Sequence, residues 1–354
     1  MDARTITDLV GNIIGALFVA CIIVVTVMQE TGYILIRLKL YRWATTYYTS
    51  LIWLVPWSEA LYINRAWARL CLAEFDEAIE DCDQALKINL EAAMAYNNRS
   101  AAQLGLQHYP EALQDANQAI LMDNKLGSAY YNRAYALVKL GNYAAALKDY
   151  DRAIEQRPRL YNQYYMRGNC HLYLQHYLEA MADYNKAIEL DPSAQNVYHS
   201  RGILFMIYDD YQQGLADLEK SCELAPYELF HPLVLQWCQL CLHPQLNNEV
   251  RARFAALAPL VDGHNAWHLY QGMSLWFEGT YADALSQFEL YIAADHRGSE
   301  TGYFWSGMAL AAQGHYEEAR RVIDYALKHN LPRFFLQTLA LLPSKHSGFA
   351  DRYL

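Results

Sequence analysis

Apolar and polar residues recur with a helical period along most of this chain, and the whole pattern returns every 34 residues. Five such units follow without a gap: 59–92, 93–126, 127–160, 161–194 and 195–228. Position 4 is always tyrosine (Tyr62, Tyr96, Tyr130, Tyr164, Tyr198), and position 8 is always small (Ala66, Ser100, Ala134, Gly168, Gly202). Position 17 is aromatic (Phe75, Tyr109, Tyr143, Tyr177, Tyr211), and positions 20 and 27 are small in every unit. Positions 4, 8 and 11 form one stripe of a first helix, and 17, 20, 24 and 27 one stripe of a second. The pattern predicts an antiparallel helix pair per unit, drawn close by the small residues and filled around them by the aromatics. Pro158, Pro192 and Pro226 close the last three units, because proline cannot continue a helix. Each pair leaves an apolar face that only a neighbouring pair can cover.

This arrangement resembles the tetratricopeptide repeat family. The resemblance implies an all-α fold, a right-handed superhelical solenoid of antiparallel helix pairs. Residues 265–333 fit two further units, with Gly272, Tyr281, Ala284 and Phe288 in the first and Tyr303, Gly307, Tyr316 and Ala319 in the second. Residues 229–264 read as an irregular helical hairpin, since Pro232 stands where an aromatic belongs. Residues 334–354 read as a capping helix and a tail that is loose from Lys345. Upstream, 29–58 reads as a divergent juxtamembrane repeat, with Gly32, Tyr41, Ala44, Tyr48, Leu51 and Pro56 in register. That reading requires helix rather than extended chain between Met28 and Tyr41. Trp43, Trp53 and Trp57 leave an interfacial aromatic helix over 43–57 as the alternative.

Within the N-terminal segment 1–28, Leu9 to Met28 carries no charge, and a helix of that length spans the hydrocarbon of a bilayer. The sequence thus predicts one transmembrane helix, 9–28, ahead of the repeats. The leader is not basic, which argues against a cleaved signal peptide. Arg37, Lys39 and Arg42 follow the run against Arg4 before it, so the repeats are expected in the cytoplasm of a single-pass membrane protein. Gly11 and Gly15 form a GxxxG through which two copies could pair as a homo-oligomer.

Charge narrows the partners. The 354 residues hold 28 Lys and Arg against 38 Asp and Glu, a net of −10, which disfavours nucleic acid as a ligand. Seven cysteines, an odd number and scattered but for Cys238 and Cys241, suit a reducing compartment better than a disulfide framework.

Two sets of residues carry candidate chemistry. Position 7 is Arg65, Arg99, Arg133, Arg167 and Arg201, and position 23 is Asp81, Asp115, Asp149, Asp183 and Asp217. The constant spacing of sixteen marks them as structural ion pairs between helices, the planar guanidinium suiting a carboxylate. The resemblance implies that positions 2, 5, 6, 9, 12 and 13 line a concave peptide-binding groove. Here that groove would present Trp67, Asn97, Asn98, Tyr131, Asn132, Tyr135, Tyr165, Asn169, Tyr173 and His199. The family's carboxylate clamp needs cations at positions 2, 5 and 6, which this chain lacks.

Cys238 and Cys241 form a lone CxxC within a helical pattern, too few ligands for a structural zinc, so no metal and no cofactor are expected. No phosphate-binding loop, nucleophile elbow or zinc-protease motif occurs, and no enzyme is expected. The sequence reads as a membrane-anchored scaffold or adaptor that holds a peptide segment or helix of a partner protein. An extracytoplasmic envelope assembly or secretion factor, or a purely structural oligomerising array, are the alternatives.

Overall fold

The computed structural model describes residues 30–208, 210–225, 267–294, 300–329 and 347–350, with 235–236, 239, 252, 256 and 331. Every regular element among them is helical. The chain divides into two compact units, Met1–His176 and Tyr177–Leu354.

In the first unit α1 (30–37) leads into α2 (Tyr41–Leu54), α3 (Glu59–Leu70), α4 (Phe75–Ile88), α5 (Ala93–Gly105), α6 (Tyr109–Met122), α7 (Gly127–Lys139), α8 (Tyr143–Gln156) and α9 (Tyr161–Tyr173). From α2 onward each helix packs on its chain neighbours, and α3, α5, α7 and α9 also touch in succession, forming a wall of first helices. Close approach explains the small residues. Ala66 packs with Ala78, Cys82 and Ala102, and Ala134 with Ala146, Tyr150 and Cys170. The Ser100 hydroxyl donates to Ala112 O at 2.8 Å, across the α5–α6 contact.

The same logic reaches back to residue 32. Ile36, Ala44, Tyr48 and Leu51 are buried with Leu61 and Ala68, and the Tyr48 ring lies where a Cβ on Gly32 would have to go. Residues 30–37 are therefore helical and paired with α2, in the register of the later units.

One regularity escaped the sequence pattern. Position 15, in the turn between paired helices, is left-handed at Lys39 (φ 59°), Ala73 (60°), Gln107 (63°), Gly141 (81°) and Gln175 (60°). The next residue's N–H reaches back five residues each time, as in Leu40 to Leu35 O (2.9 Å) and His108 to Gln103 O (2.8 Å). This is a Schellman-type helix end, which caps the last carbonyls of the first helix. Glycine relieves the strain at only one of these five turns, so glycine alone could not reveal the position.

The second unit holds α10 (Tyr177–Leu190), α11 (Gln195–Ile207), α12 (Tyr211–Leu224), α13 (Trp267–Glu278), α14 (Tyr281–Ala294), α15 (Glu300–Ala312), α16 (Tyr316–Lys328) and α17 (Ser347–Ala350). Gly279 (φ 88°) and Gly314 (φ 89°) occupy the same turn position. Its core is aromatic, with Trp305 edge-on to Trp276 at 5.5 Å and packed with Phe288 and Phe304. Residues 347–350 depart from the loose tail expected: α17 buries Phe349, whose ring stacks on Tyr316 at 5.6 Å. An aromatic contact of that kind fastens even a single helical turn.

The expected membrane span 9–28, nearly all of the 229–264 hairpin and the whole of the expected capping helix lie outside the described residues. Among the described residues no helix is long and apolar enough to cross a membrane.

Candidate functional site

The arginine column is built into the stack. Arg65 meets Asp81 through Nε and Nη2, and Arg99 meets Asp115 the same way at 2.8 and 2.7 Å. Arg133 to Asp149 and Arg201 to Asp217 repeat the fork. These aspartates are buried, so the fork answers a carboxylate that water cannot reach. Arg167 and Asp183 belong to different units; within the first, Arg167 Nη1 lies 2.6 Å from Asp151.

That last contact belongs to a second series. The remaining guanidinium nitrogen of each arginine turns to position 25 of the preceding repeat: Arg65 to Thr49, Arg99 to Asp83, Arg133 to Asn117 and Arg201 to Asn185. Each guanidinium also lies over the position 4 tyrosine of its own helix, 5.5 to 5.7 Å from the centroid. Position 25 was not singled out in the sequence because its residue changes, although it is polar each time and always sixteen before an arginine. The Thr49 contact extends the series to α2.

The wall of first helices sorts the candidate groove residues. Trp67 is 44% and Tyr173 61% exposed, while Tyr135, Tyr165 and Asn169 are half-buried. Lys139 Nζ sits 5.4 Å from the Tyr135 centroid, and the Tyr173 ring stacks on Tyr143 at 4.6 Å. The other five candidates are placed differently. The amides expected to meet a bound backbone at Asn97, Asn98 and Asn132 are buried instead. Asn98 Nδ2 donates to Ile63 O at 3.2 Å, and Asn132 Nδ2 to Asn97 O at 3.1 Å. Position 6 points at the previous first helix, so its amide joins repeats rather than facing outward. His199 is buried in the second unit. Tyr131 packs edge-on to Tyr150 at 5.8 Å, and burial pushes its hydroxyl up to about 12.

On the opposite side, between α6 and α8, lies an open groove of about 920 Å³ with the paired Arg133 and Asp149 on its lining. Lys148, Arg152, Asp151 and Glu155 also border it, a mixture of signs that favours no ligand charge. Burial raises the thiols of Cys71, Cys82 and Cys222, the last to about 11, which keeps them from acting as thiolates at neutral pH. Among the described residues no three His, Cys, Asp or Glu could hold a metal ion; Cys238 and Cys241 lie outside them.

The family model of the tetratricopeptide repeat matches residues 127–160 and 161–194, two of the 34-residue units with their bounds unchanged. The chain carries tetratricopeptide repeats. Among solved structures, pilF of Pseudomonas aeruginosa is 14% identical, aligns over 58% of this chain and 94% of its own, and superposes with a TM-score of 0.52. A tetratricopeptide repeat protein of Parabacteroides merdae is 17% identical over 80% of this chain and 98% of its own, with a TM-score of 0.45. YrrB, a TPR protein with an unusual peptide-binding site, is 23% identical over 52% of this chain and 95% of its own, with a TM-score of 0.43. At these identities the likeness concerns the helical-pair fold alone, and pilF carries it. No curated protein matches the sequence significantly.

Proposed function

We propose that this tetratricopeptide repeat chain is a non-enzymatic scaffold whose wall of first helices takes up an extended segment or helix of a partner protein. In this reading the uncharged run 9–28 anchors it to a bilayer, with the repeats on the cytoplasmic side. The observation that carries the reading is an aromatic strip, Trp67, Tyr135, Tyr165 and Tyr173, part-exposed on α3, α7 and α9. Stacking between repeats already uses the arginines and the buried asparagines but leaves these rings reachable. Rings of this kind offer contact area at little cost in conformational entropy. Ala101 holds the register position between Trp67 and Tyr135, which opens a notch for a side chain of the bound segment.

A photo-crosslinking residue at Tyr165 tests this, with one at the exposed Glu111 of α6 as control. A discrete protein adduct is expected from position 165 alone, lost when Trp67 and Tyr135 become Ala. Equal adducts from both positions, or none from 165, would overturn the proposal. Carbonate extraction of cell membranes tests the anchor separately.

A further inference from the structure

Gly32 packs on Tyr48, and Ile36 shares a core with Ala44, so α1 and α2 run antiparallel with residue 30 level with residue 50. From that level α2 continues for about 6 Å to Leu54, and the chain turns through Val55–Trp57 before α3 begins. Trp53, Leu54 and Trp57 thus overhang the start of α1, and they are 83%, 53% and 69% exposed. Trp53, Leu54 and Trp57 gather at one end of the hairpin as an apolar patch that a partner or an apolar phase can cover.

The chain itself points to one. The uncharged run ends at Met28, two residues before Glu30 and so within about 7 Å of it whichever way the backbone bends. We infer that the first repeat docks end-on against the bilayer, with Trp53, Leu54 and Trp57 seated at the boundary between headgroups and acyl chains. Indole rings partition to that layer because one edge is apolar and the N–H still finds water or headgroup oxygen. Arg37, Lys39 and Arg42 all lie at or beside the opposite end, near the α1–α2 turn, while Glu30 and Glu59 are at the near end. The contact is therefore with the apolar boundary of a zwitterionic lipid rather than with anionic headgroups. Trp43 is 70% exposed but stands about 15 Å along α2 from Trp53 and stays in water. The consequence is a fixed attitude: a rigid foot holds the first repeats upright instead of leaving them on a tether.

The inference rests on the anchor reading, and the test separates the two. The full chain is reconstituted in phosphatidylcholine vesicles whose acyl chains carry bromine near the headgroup, and quenching of tryptophan emission is compared among variants. W53F/W57F is expected to lose most of the quenched amplitude, and W43F to lose none. The difference should persist at high salt. These exposed positions tolerate Phe, and far-UV circular dichroism checks that they do. Vesicle flotation with quenching unchanged in W53F/W57F overturns the docking alone. Failure of the wild-type chain to float overturns the anchor and the docking together. A dimer in detergent that W53F/W57F abolishes, with quenching unmoved, would assign the patch to a second copy and also overturn the proposal.

Discussion

Replacing Arg99 by Met removes the charge at the centre of one ladder rung while keeping much of the side-chain volume. The guanidinium holds Asp115 by two hydrogen bonds of 2.7 and 2.8 Å and Asp83 by one of 2.6 Å. The Asp115 side chain is 6% exposed and that of Asp83 46%, so water can replace Arg99 at Asp83 but not at Asp115. Stranding a buried carboxylate costs about 3–5 kcal/mol, and the partial exposure of Arg99 itself, 24%, argues for the lower end, about 3 kcal/mol. Asp83→Asn should cost under about 1 kcal/mol, and Arg152→Met, from the exposed pair with Glu155, close to nothing. Stacked repeats need not unfold as one unit, so the assay is native-state hydrogen exchange read by mass spectrometry. Arg99→Met should speed exchange of α5 and α6 by roughly 100-fold where those amides open together. The R99M/D115L double variant should recover most of the loss, because it leaves no stranded charge. If Arg99→Met costs no more than Arg152→Met, or if the double variant is no better than the single, the buried-pair argument is wrong.

Three further outcomes follow from the structure. Gln107→Gly relieves a left-handed residue and should stabilise the first unit by about 1 kcal/mol, with Gly141→Ala costing about as much; urea unfolding of each variant measures both. Tyr48 and Tyr131 are both pushed up to about 12 by burial. Between pH 10 and about 12 the unfolded chain gives up phenolic protons that the folded chain retains. Stability should therefore fall with rising pH across that window, and ultraviolet titration should show a late-ionising class, Tyr48 and Tyr131 with the more deeply buried Tyr150 and Tyr270, that joins the main class in urea. Phe349→Ala removes the buried ring on Tyr316 and should destabilise the second unit by about 3 kcal/mol, leaving exchange in α3 to α8 unchanged.

Much of the architecture could be read from residue order because its signals are local and periodic. A small residue at positions 8 and 20 has one physical use, letting two helices touch, and repetition at a constant interval rules out coincidence. The match of the family to 127–160 and 161–194 falls on the same intervals. The turn at position 15 was not readable. Its left-handed backbone is held by the helix-end hydrogen bonds, so Lys39, Ala73, Gln107 and Gln175 stand where only glycine would have announced it. Phe349 gave no warning either, since a single aromatic in a short segment has no period to reveal its partner.

By itself, then, residue order determined the helix pairs, their length and the faces they bury, because burial of a stripe depends on spacing within one element. Only the tertiary structure decided which partner each polar group meets. It turned Asn98 and Asn132 inward between repeats, gave each arginine a second contact at position 25, and left Trp53 and Trp57 bare at one end. Those outcomes depend on how one helix lies against another, and spacing along a single chain does not encode that distance.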